Sequence, residues 1–374
     1  MRIAIEALGI SRPGGGRAAT LGLLQPLLTL DQTNQYVIYL DRPEPDLNHF
    51  AHVHPRIIPS QNRFVSRLLL QALLPIELRR LKIDLIHFVK NQMIFGVGRK
   101  SVVTVYDLTT LRYPRAFPLL DVWYWQYLLP RLYQRADRIV AISQSTAQDL
   151  MDYYRLPRNK IEVIYPGYDA LYRPRPAEQS QAAQRKYGLD EHAYFIHVGS
   201  FSLKKNLAML LDAFMSFRQQ TGLDVRLVLV GANYPKGHDQ DFVQRLTRPG
   251  VRESVVLTGA ISNEDLAALY TGALALLFPS LHEGFGIVAL EAMACGVPVV
   301  AHAAGAVREV VGEAGIIIDS ATDQSLWCQA MQAIATDHRL RASLASAGIK
   351  RARLFAPEHA ARQTLDVYQK VLEQ

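Results

Sequence analysis

The sequence has few of the features that mark secreted or membrane proteins. It contains only two cysteines, Cys295 and Cys328, and neither lies in a CxxC pair. That excludes a disulfide framework or a cysteine-rich zinc site and is typical of a reducing cytosol. The longest apolar runs, such as GALALLF, fall far short of the roughly 20 residues that a membrane span needs. The N-terminus has no signal-peptide pattern, so we expect a cytoplasmic protein.

Charged residues are also modest in number, at 20% against 49% hydrophobic residues, as in a well-packed globular protein. The 374 residues exceed one ordinary core and predict two domains. The net charge of +7 comes entirely from residues 1–169, which hold 21 Lys and Arg against 14 Asp and Glu. This bias favours an anionic partner, either a membrane surface or an acidic acceptor, with a merely soluble basic domain as the alternative.

Short apolar, β-branched runs alternate with helical patterns along the whole chain. Six strand candidates in each half, from RIAIEAL to KIEVIYPG and from YFIHVGS to GIIID, predict two parallel sheets covered by helices. Segment 168–192 is rich in Pro, Gln and Ala and is predicted to link them. Ligands of such folds bind beyond the carboxyl ends of the strands, so we expect a site in a cleft facing both sheets.

The first glycine cluster, GGGRAA at 14–19, formally fits a dinucleotide-binding fingerprint, with Asp41 as the ribose-binding acid. The five residues GISRP separate it from the first strand, where the fingerprint needs a tight turn. The better interpretation is a flexible loop before the helix RAATLGLLQPLL. In that loop Gly15 and Gly16 would bring backbone N–H groups to the cleft. A merely permissive turn remains the alternative.

Two pairs of polar residues have competing explanations. Tyr106 and Asp107 end the strand VVTVYD and would enter the cleft, although Asp107 could simply cap the next turn. Asp239 and Asp241 have the D-x-D spacing of a metal site, but a helix N-cap is the preferred interpretation. The sequence therefore predicts no metal.

Two amphipathic stretches, residues 63–82 and 119–138, combine basic residues with many apolar ones. Such helices can lie on anionic bilayers, but core helices with solvated edges look the same, and we favour the core interpretation.

A lysine pair follows the first strand of the second half. In VGSFSLKKNLAMLLDAF the strand ends at Gly199, the loop carries Lys204 and Lys205, and a helix begins near Asn206. Lysines at the carboxyl edge of a strand, ahead of a helix N-terminus, are well placed to neutralise phosphate. A solvated lysine pair is the alternative.

The segment HEGFGIVALEAMACGVPVVA places two glutamates in different settings. Glu283 lies in a glycine loop. Glu291 lies more than a turn inside the following helix, which is predicted to start near Gly286 and to stop at Gly296. Gly284, Phe285 and Gly286 would present N–H groups to an anion at the helix N-terminus. Glu283 could then face a sugar and Glu291 a ribose diol, which together describe a nucleotide-sugar donor.

These motifs resemble a known family. EGFGIVALEAMACGVPVV resembles the E-x7-E segment of the retaining GT-B glycosyltransferases of family 4, and VGSFSLKKN resembles their Gly-x5-Lys-Asn donor loop. ADRIVAISQSTAQDL and KIEVIYPGYD resemble the last strands of the acceptor domain. FAPEHAARQTLDVYQKVL resembles the closing helix, which in such folds crosses back to the first domain. The resemblance covers nearly the whole chain.

The resemblance implies an α/β GT-B fold of two Rossmann-like, doubly wound parallel-sheet domains. The acceptor-binding domain would span 1–169 with the helix 356–374, and the donor-binding domain 170–355. It implies a metal-independent, retaining hexosyltransferase of polysaccharide or glycolipid biosynthesis, without a cofactor or a nucleic-acid partner. The expected donor is a nucleoside-diphosphate sugar, first GDP-mannose and then UDP-sugars. From the basic charge of the first domain, rather than from the resemblance, we expect a saccharide or lipid-linked saccharide acceptor and peripheral contact at the inner membrane face.

The same resemblance assigns roles to residues. Lys204 and Lys205 would bind the donor diphosphate, Glu283 would face the transferred sugar, and Glu291 would bind the ribose. Glu283, Lys205 and Asp107 are the expected catalytic residues. The family often has His-Asp where this chain has Tyr106-Asp107, and a phenol is a poor base at neutral pH.

Two other functions stay open. One is a nucleotide-sugar epimerase or phosphorylase-like enzyme on the same fold. The other is a non-catalytic sugar-nucleotide binding protein, which Tyr106 alone suggests.

Overall fold

The computed structural model of the chain describes residues 1–11, 15–58, 63–190, 192–231 and 240–374. The chain divides into a first domain, Met1–Tyr168 with Phe355–Gln374, and a second domain, Asp169–Leu354. The first domain carries the whole positive surplus, with 23 Lys and Arg against 16 Asp and Glu, whereas the second has 18 of each.

The first domain is built on a parallel sheet in the order β3-β2-β1-β4-β5-β6-β7. Its strands are β1 (Arg2–Glu6), β2 (Gln35–Leu40), β3 (Val53–Ile57), β4 (Leu85–Phe88), β5 (Lys100–Val105), β6 (Arg138–Ala141) and β7 (Ile161–Val163). The strand order reverses between β1 and β4. That topological switch point opens a crevice at the carboxyl ends of the strands, where ligands of such sheets bind.

The second domain has a parallel sheet in the order β10-β9-β8-β11-β12-β13. Its strands are β8 (Ala193–Val198), β9 (Val225–Val230), β10 (Val255–Gly259), β11 (Leu276–Phe278), β12 (Val299–His302) and β13 (Gly315–Ile318). Here the switch point lies between β8 and β11. The two described sheets confirm the predicted fold class of two doubly wound domains.

Helices connect the strands and cover the sheets. Their bounds are α1 (Gly15–Leu30), α2 (Arg63–Arg80), α3 (Thr109–Arg112), α4 (Leu119–Trp123), α5 (Leu129–Tyr133), α6 (Gln144–Tyr154), α7 (Ala177–Lys186), α8 (Leu207–Thr221), α9 (Gln240–Leu246), α10 (Val251–Ser254), α11 (Asn263–Gly272), α12 (Ile287–Ala294), α13 (Val307–Val311), α14 (Gln324–Thr336), α15 (His338–Ala352) and α16 (Pro357–Leu372). A π-helical turn, Tyr124–Leu128, joins α4 to α5. Within the described ranges, every helix is too short or too polar to cross a membrane.

The closing helix α16 packs in the first domain beside α1. Leu24 and Leu28 of α1 share one buried core with Val367 and Val371 of α16. A Cβ atom on Gly167 would lie 2.3 Å from Pro357 Cα at the start of α16, so glycine is what allows this close approach.

Strand β3 is missing from the sequence prediction. Its sequence, VHPRI, contains Pro55, which cannot donate a backbone hydrogen bond. The strand pairs with β2 and forms the edge of the sheet, where proline is tolerated. The proline therefore kept this run from being identified as a strand in the sequence.

The prediction that residues 168–192 form a linker was wrong. It contains α7, which belongs to the second domain and packs against α11. The buried face of α7 consists of small residues, Ser180 and Ala183, and the Ser180 hydroxyl donates to the Ala268 carbonyl at 3.0 Å. Small residues give no apolar periodicity, so the helix looked like a loop.

The predicted glycine loop before the helix RAATLGLLQPLL was also wrong in its boundary. Helix α1 begins at Gly15, so Gly15 and Gly16 lie in its first turn rather than before it. Gly14 lies outside the described residues. The first N–H groups of a helix lack intrahelical partners, so an anion-binding role for Gly15 and Gly16 stays a prediction.

Candidate functional site

The candidate site of the second domain lies at the switch point between β8 and β11. The loop 199–206 follows β8, and the loop 279–286 follows β11. Since β8 and β11 are parallel neighbours, both loops leave the same edge of the sheet. The topology thus brings together the lysine motif and the glutamate motif, which are about 80 residues apart in the sequence.

Lys205 and Glu283 form a nearly buried ion pair. The Lys205 Nζ donates to Glu283 Oε1 at 2.6 Å, and the two side chains are 13% and 14% exposed. The Lys204 Nζ lies 3.7 Å from the other carboxylate oxygen of Glu283 and is more exposed. Lys205 Nζ also lies 5.0 Å from the centre of the Phe278 ring, a cation–π contact.

The electrostatics of this ion pair keep Glu283 ionised. Burial alone would raise its pKa, but the charges of Lys205 and Lys204 outweigh burial and lower the pKa of Glu283 to about 2. A carboxylate with that pKa does not act as a proton donor near neutral pH. It can accept hydrogen bonds or face a positive charge.

Backbone contacts fix the two loops in place. The Leu281 N–H donates to the Lys204 carbonyl at 2.8 Å, and the Ala306 N–H donates to the Glu283 carbonyl at 3.0 Å. Gly305 has φ +59°, and a Cβ there would lie 2.1 Å from the Glu283 carbonyl oxygen. The loop after β12 therefore needs glycine at position 305, because only glycine lets this loop pack against the backbone of Glu283.

The lysine loop depends on two special backbone positions. Gly199 has φ +152°, and a Cβ there would lie 3.1 Å from Lys205 Cε. Asn206 has φ +54° just before α8, and its side-chain amide donates to the Ala321 carbonyl at 2.7 Å. Asn206 thus anchors the turn that presents Lys205.

The helix after the glutamate loop starts and stops where the sequence predicts. Gly286, with φ +97°, is the N-cap of α12, and Gly296, with φ +76°, follows its last turn. Phe285 is buried. The proposed anion-binding role of Gly284, Phe285 and Gly286 stays a prediction.

Glu291 lies in a different environment from Glu283. It is 6% exposed on α12, and its electrostatic neighbours include Asp169, Tyr172 and Tyr270. Burial, and to a lesser degree the charge of Asp169, raise the pKa of Glu291 to about 8. The two glutamates are therefore not an acid–base pair that shares one proton.

In the first domain, Tyr106 directly follows β5 and is held from three sides. Its hydroxyl lies 3.3 Å from Thr20 Oγ1, its N–H donates to Asn91 Oδ1 at 2.6 Å, and its carbonyl accepts from Thr146 Oγ1 at 3.0 Å. Burial raises the pKa of the Tyr106 phenol to about 12, against the opposing effect of the Thr20 hydrogen bond. Tyr106 can donate a hydrogen bond but is not a base near neutral pH.

Asp107 uses one carboxylate oxygen locally. Its Oδ1 accepts the Thr109 N–H at 3.0 Å, at the first residue of α3. This is the turn-capping contact that the sequence offered as the alternative. A catalytic role for Asp107 stays a prediction.

Sequence reasoning missed two buried polar residues near the switch points. Glu6 ends β1, and its Oε1 accepts the Leu8 N–H at 3.0 Å, while no described residue donates to Oε2. Burial raises the pKa of Glu6 to about 7. His197, in β8, donates from Nδ1 to the Leu277 carbonyl at 2.9 Å, and burial lowers its pKa to about 4. In each case a polar residue inside an apolar strand run was the available signal.

The described residues hold no group of three or more His, Cys, Asp and Glu side chains that could bind a metal. Of the D-x-D pair, Asp239 lies outside the described residues. Asp241 lies in the first turn of α9 rather than at its N-cap, and it pairs with Arg245 at 2.7 Å.

Comparison with protein families gives two matches. Residues 179–351 match the family described as Glycosyl transferases group 1. Residues 31–170 match the family described as Glycosyltransferase Family 4. The group 1 match lies in the second domain and includes both candidate loops, 199–206 and 279–286. The family 4 match covers most of the first domain.

Individual relatives agree with these families. The chain is 28% identical over 270 residues to O-antigen chain mannosyltransferase B of Escherichia coli, covering 72% of this chain and 70% of the relative. It is 35% identical over 247 residues to D-inositol 3-phosphate glycosyltransferase of Salinispora arenicola, covering 62% of this chain and 54% of the relative. The match thus spans only about half the length of the latter protein.

A solved structure shows the same fold. The Anabaena protein HepE in complex with UDP-glucose superimposes with a TM-score of 0.78 at 22% identity, over 99% of this chain and 100% of HepE. At this identity the likeness establishes the fold, that of the GT-B enzymes with two Rossmann-like domains.

Proposed function

We propose that this chain, which belongs to the family 4 glycosyltransferases, is a retaining, metal-independent hexosyltransferase. It would move a hexose from a nucleoside-diphosphate sugar to a hydroxyl of a saccharide or lipid-linked saccharide. The second domain would bind the donor and the first domain the acceptor. The proposed setting is the cytoplasmic side of polysaccharide or glycolipid biosynthesis.

The observation that carries the proposal is the cluster of Lys204, Lys205 and Glu283 at the switch point. The Lys205 and Lys204 ammonium groups lie 2.6 Å and 3.7 Å from the Glu283 carboxylate, which stays ionised near neutral pH. A donor brings the complementary charges, a diphosphate anion and a sugar that becomes positive in the transition state. We therefore propose that the bound donor replaces these contacts between side chains. Its diphosphate would contact Lys204 and Lys205, and its sugar would face Glu283.

The proposed reaction needs no proton from Glu283. The bond from the sugar C1 to the diphosphate oxygen breaks, and negative charge grows on that oxygen. Lys204 and Lys205 stabilise that charge in a largely desolvated site, where such contacts contribute most. The acceptor oxygen then bonds to C1 on the same face, and its proton passes to the leaving diphosphate.

The donor proposal is GDP-mannose first and UDP-sugars second. A mannosyltransferase among the relatives supports mannose, and the UDP-glucose complex of HepE supports a UDP-sugar. We test this with thermal unfolding in EDTA and GDP-, UDP- or ADP-sugars. One sugar series is expected to raise the Tm by several degrees, because a ligand at 100 times its Kd stabilises by about 2.7 kcal/mol. A shift that appears only after a divalent ion is added would contradict metal independence.

Turnover then separates transfer from the alternative functions. The donor that raises the Tm is incubated without acceptor and with a panel of saccharide and lipid-linked acceptors. Transfer requires acceptor-dependent release of the nucleoside diphosphate. Conversion of the sugar without acceptor would indicate an epimerase, and binding without any turnover would indicate a binding protein.

A pH dependence of donor binding is expected from Glu291. If its carboxylate accepts hydrogen bonds from the ribose diol, Glu291 must release a proton when the donor binds, because burial raises its pKa to about 8. Donor affinity should therefore rise with pH, by about tenfold per unit between pH 6 and 8, and level off above. Calorimetric titration of the donor at several pH values measures this slope.

The matched control is Glu291→Gln, which cannot titrate. It should bind the donor more weakly at pH 8 and show a flat profile. Glu283 and His197 do not produce the slope, since their pKa values of about 2 and about 4 lie below the range. A flat wild-type profile would show that Glu291 does not exchange its proton on donor binding.

A further inference from the structure

One ring nitrogen of His197 has no hydrogen-bond partner among the described residues. His197 lies in β8 and is fully buried. Its Nδ1 lies 2.9 Å from the Leu277 carbonyl oxygen of β11, which can only accept, so Nδ1 carries the proton. Burial lowers the pKa of His197 to about 4, so the ring is neutral near neutral pH. Nε2 is therefore an acceptor with a bare lone pair, and no described residue donates to it.

The hydrogen bond to Leu277 does not explain this second nitrogen of His197. Asparagine could donate to the same carbonyl, and an apolar residue would fill a buried strand position without any polar atom. Buried polar atoms nearly always have a partner. A buried acceptor without one in the described protein therefore points to a contact that forms when a ligand is bound.

The Nε2 atom of His197 lies close to the Lys205 ammonium group. A Cβ atom on Gly199 would lie 3.5 Å from His197 Nε2 and also 3.5 Å from Lys205 Nζ, so both nitrogens border the same small space. Gly199 is itself fixed in place, because its N–H donates to the Val230 carbonyl at 2.9 Å. The charged neighbours of the His197 ring include both Lys205 and Glu283.

The Lys205 ammonium group has three N–H donors, and one of them contacts Glu283 Oε1 at 2.6 Å. If the donor diphosphate binds at Lys205 as proposed, the ammonium turns from Glu283 toward phosphate oxygens. Lys205 is only 13% exposed, so its remaining N–H groups need acceptors from the protein. A second carboxylate would offset the positive charge that attracts the diphosphate. A neutral imidazole can orient the ammonium and leave its charge intact.

We propose that His197 is a positioning residue for Lys205, and that its Nε2 accepts a hydrogen bond from the Lys205 ammonium when the donor diphosphate is bound. The proton stays on Lys205, and no covalent step is involved. The inference rests on the proposed donor site and adds to it a buried residue of β8 that acts only through Lys205.

A double-mutant cycle with Lys205 tests the proposal. GDP or UDP, whichever series stabilises the wild type, is titrated calorimetrically into the wild type, His197→Asn, Lys205→Met and the double variant. Asparagine can still donate to the Leu277 carbonyl but has no atom at the position of Nε2. We expect His197→Asn to weaken nucleotide binding about tenfold, as for the loss of one hydrogen bond to a charged group. In the Lys205→Met background it should change binding less than about twofold, because no ammonium is left to position.

His197→Gln is the matched variant. Glutamine can place its amide oxygen near the position of Nε2 but loses the donor to the Leu277 carbonyl. It should therefore bind the nucleotide more tightly than His197→Asn, although it should melt at a lower temperature. A purely structural histidine predicts the opposite order of affinity, because binding would then follow the Leu277 hydrogen bond and the Tm.

Nitrogen NMR of the wild type gives a second measurement. In protein labelled with ¹⁵N-histidine, the Nε2 signal of His197 is assigned by its loss in the more stable of the two His197 variants. Saturation with GDP or UDP should move this signal toward the position of a hydrogen-bonded acceptor. The Nδ1 signal should stay in place, because the Leu277 contact does not change.

The outcomes separate failure of this inference from failure of the proposed function. A wild type that binds neither GDP nor UDP would contradict the proposed donor site, and the role of His197 with it. If the nucleotide binds, but His197→Asn causes equal losses with and without Lys205, His197 acts through the fold and the inference is wrong. An unchanged affinity in His197→Asn, or an Nε2 signal that does not move, would also overturn the inference and leave the donor site intact.

Discussion

Replacing Lys205 with methionine is expected to weaken donor binding by roughly a hundred- to a thousandfold. Lys205 is 13% exposed and lies 2.6 Å from Glu283, so its charge acts in a largely desolvated place. Truncating one member of such a charge pair costs on the order of 2–5 kcal/mol. In the variant, the negative charges of Glu283 and a bound diphosphate repel each other, and only Lys204, 3.7 Å from Glu283, remains to offset that repulsion. Isothermal titration with the donor identified above measures the loss.

The matched variant is Lys204→Met, which removes the more exposed lysine of the same loop. We expect it to lose about tenfold in affinity, because its charge is farther from Glu283 and better solvated. Equal losses in the two variants would contradict the distinction that the structure draws. An unchanged affinity in Lys205→Met would remove the diphosphate role of Lys205 altogether.

The same pair makes a separate prediction on stability. The lowered pKa of Glu283, about 2, contributes stability above the pKa that the residue has when unfolded, and this contribution disappears as the pH falls toward 2. In Lys205→Met the pKa of Glu283 should rise, because its main compensating charge is gone. The variant should therefore have a lower Tm than the wild type at pH 6, and the difference should shrink by pH 3.

Most of the fold could be predicted from the sequence, because apolar strand runs and turn residues are local signals. Gly286 and Gly296 marked both ends of α12, and the structure gives both glycines positive φ. Local signals failed where tertiary context decides. Strand β3 tolerates Pro55 only because it is an edge strand, and α7 packs through small residues against a helix about 90 residues later in the chain.

The candidate site was predictable in its residues but not in its contacts. Spacing and residue type singled out Lys205 and Glu283, yet no local pattern shows that they pair with each other. That contact follows from the parallel neighbours β8 and β11, a long-range feature. The support of Glu283 by Gly305 is equally long-range, and so is the anchor from Asn206 to Ala321.

Glu283→Gln is expected to lower kcat by about a thousandfold while donor affinity stays the same or improves. Glutamine keeps the shape and hydrogen-bonding oxygen of the side chain but removes the negative charge. In the wild type that charge would stabilise the positive sugar only in the transition state, and losing such a contact costs about 10²–10³ in rate. Donor binding does not suffer, because Lys204 and Lys205 are no longer held by a carboxylate. Steady-state transfer assays and donor titration give the two numbers separately.

The size of the rate loss decides what Glu283 does. If it only orients the sugar through hydrogen bonds, glutamine should retain most of the rate, and a fall of about tenfold is the limit. Glu264→Gln, an exposed acid in the first turn of α11, controls for the loss of charge in general and should leave kcat unchanged.

The double variant, Lys205→Met with Glu283→Gln, then separates the two roles. If Lys205 and Glu283 acted only through each other, it would lose no more than Lys205→Met alone. If they contact different parts of the donor, its binding loss comes from Lys205 and its rate loss from Glu283, and the two effects combine in kcat/KM.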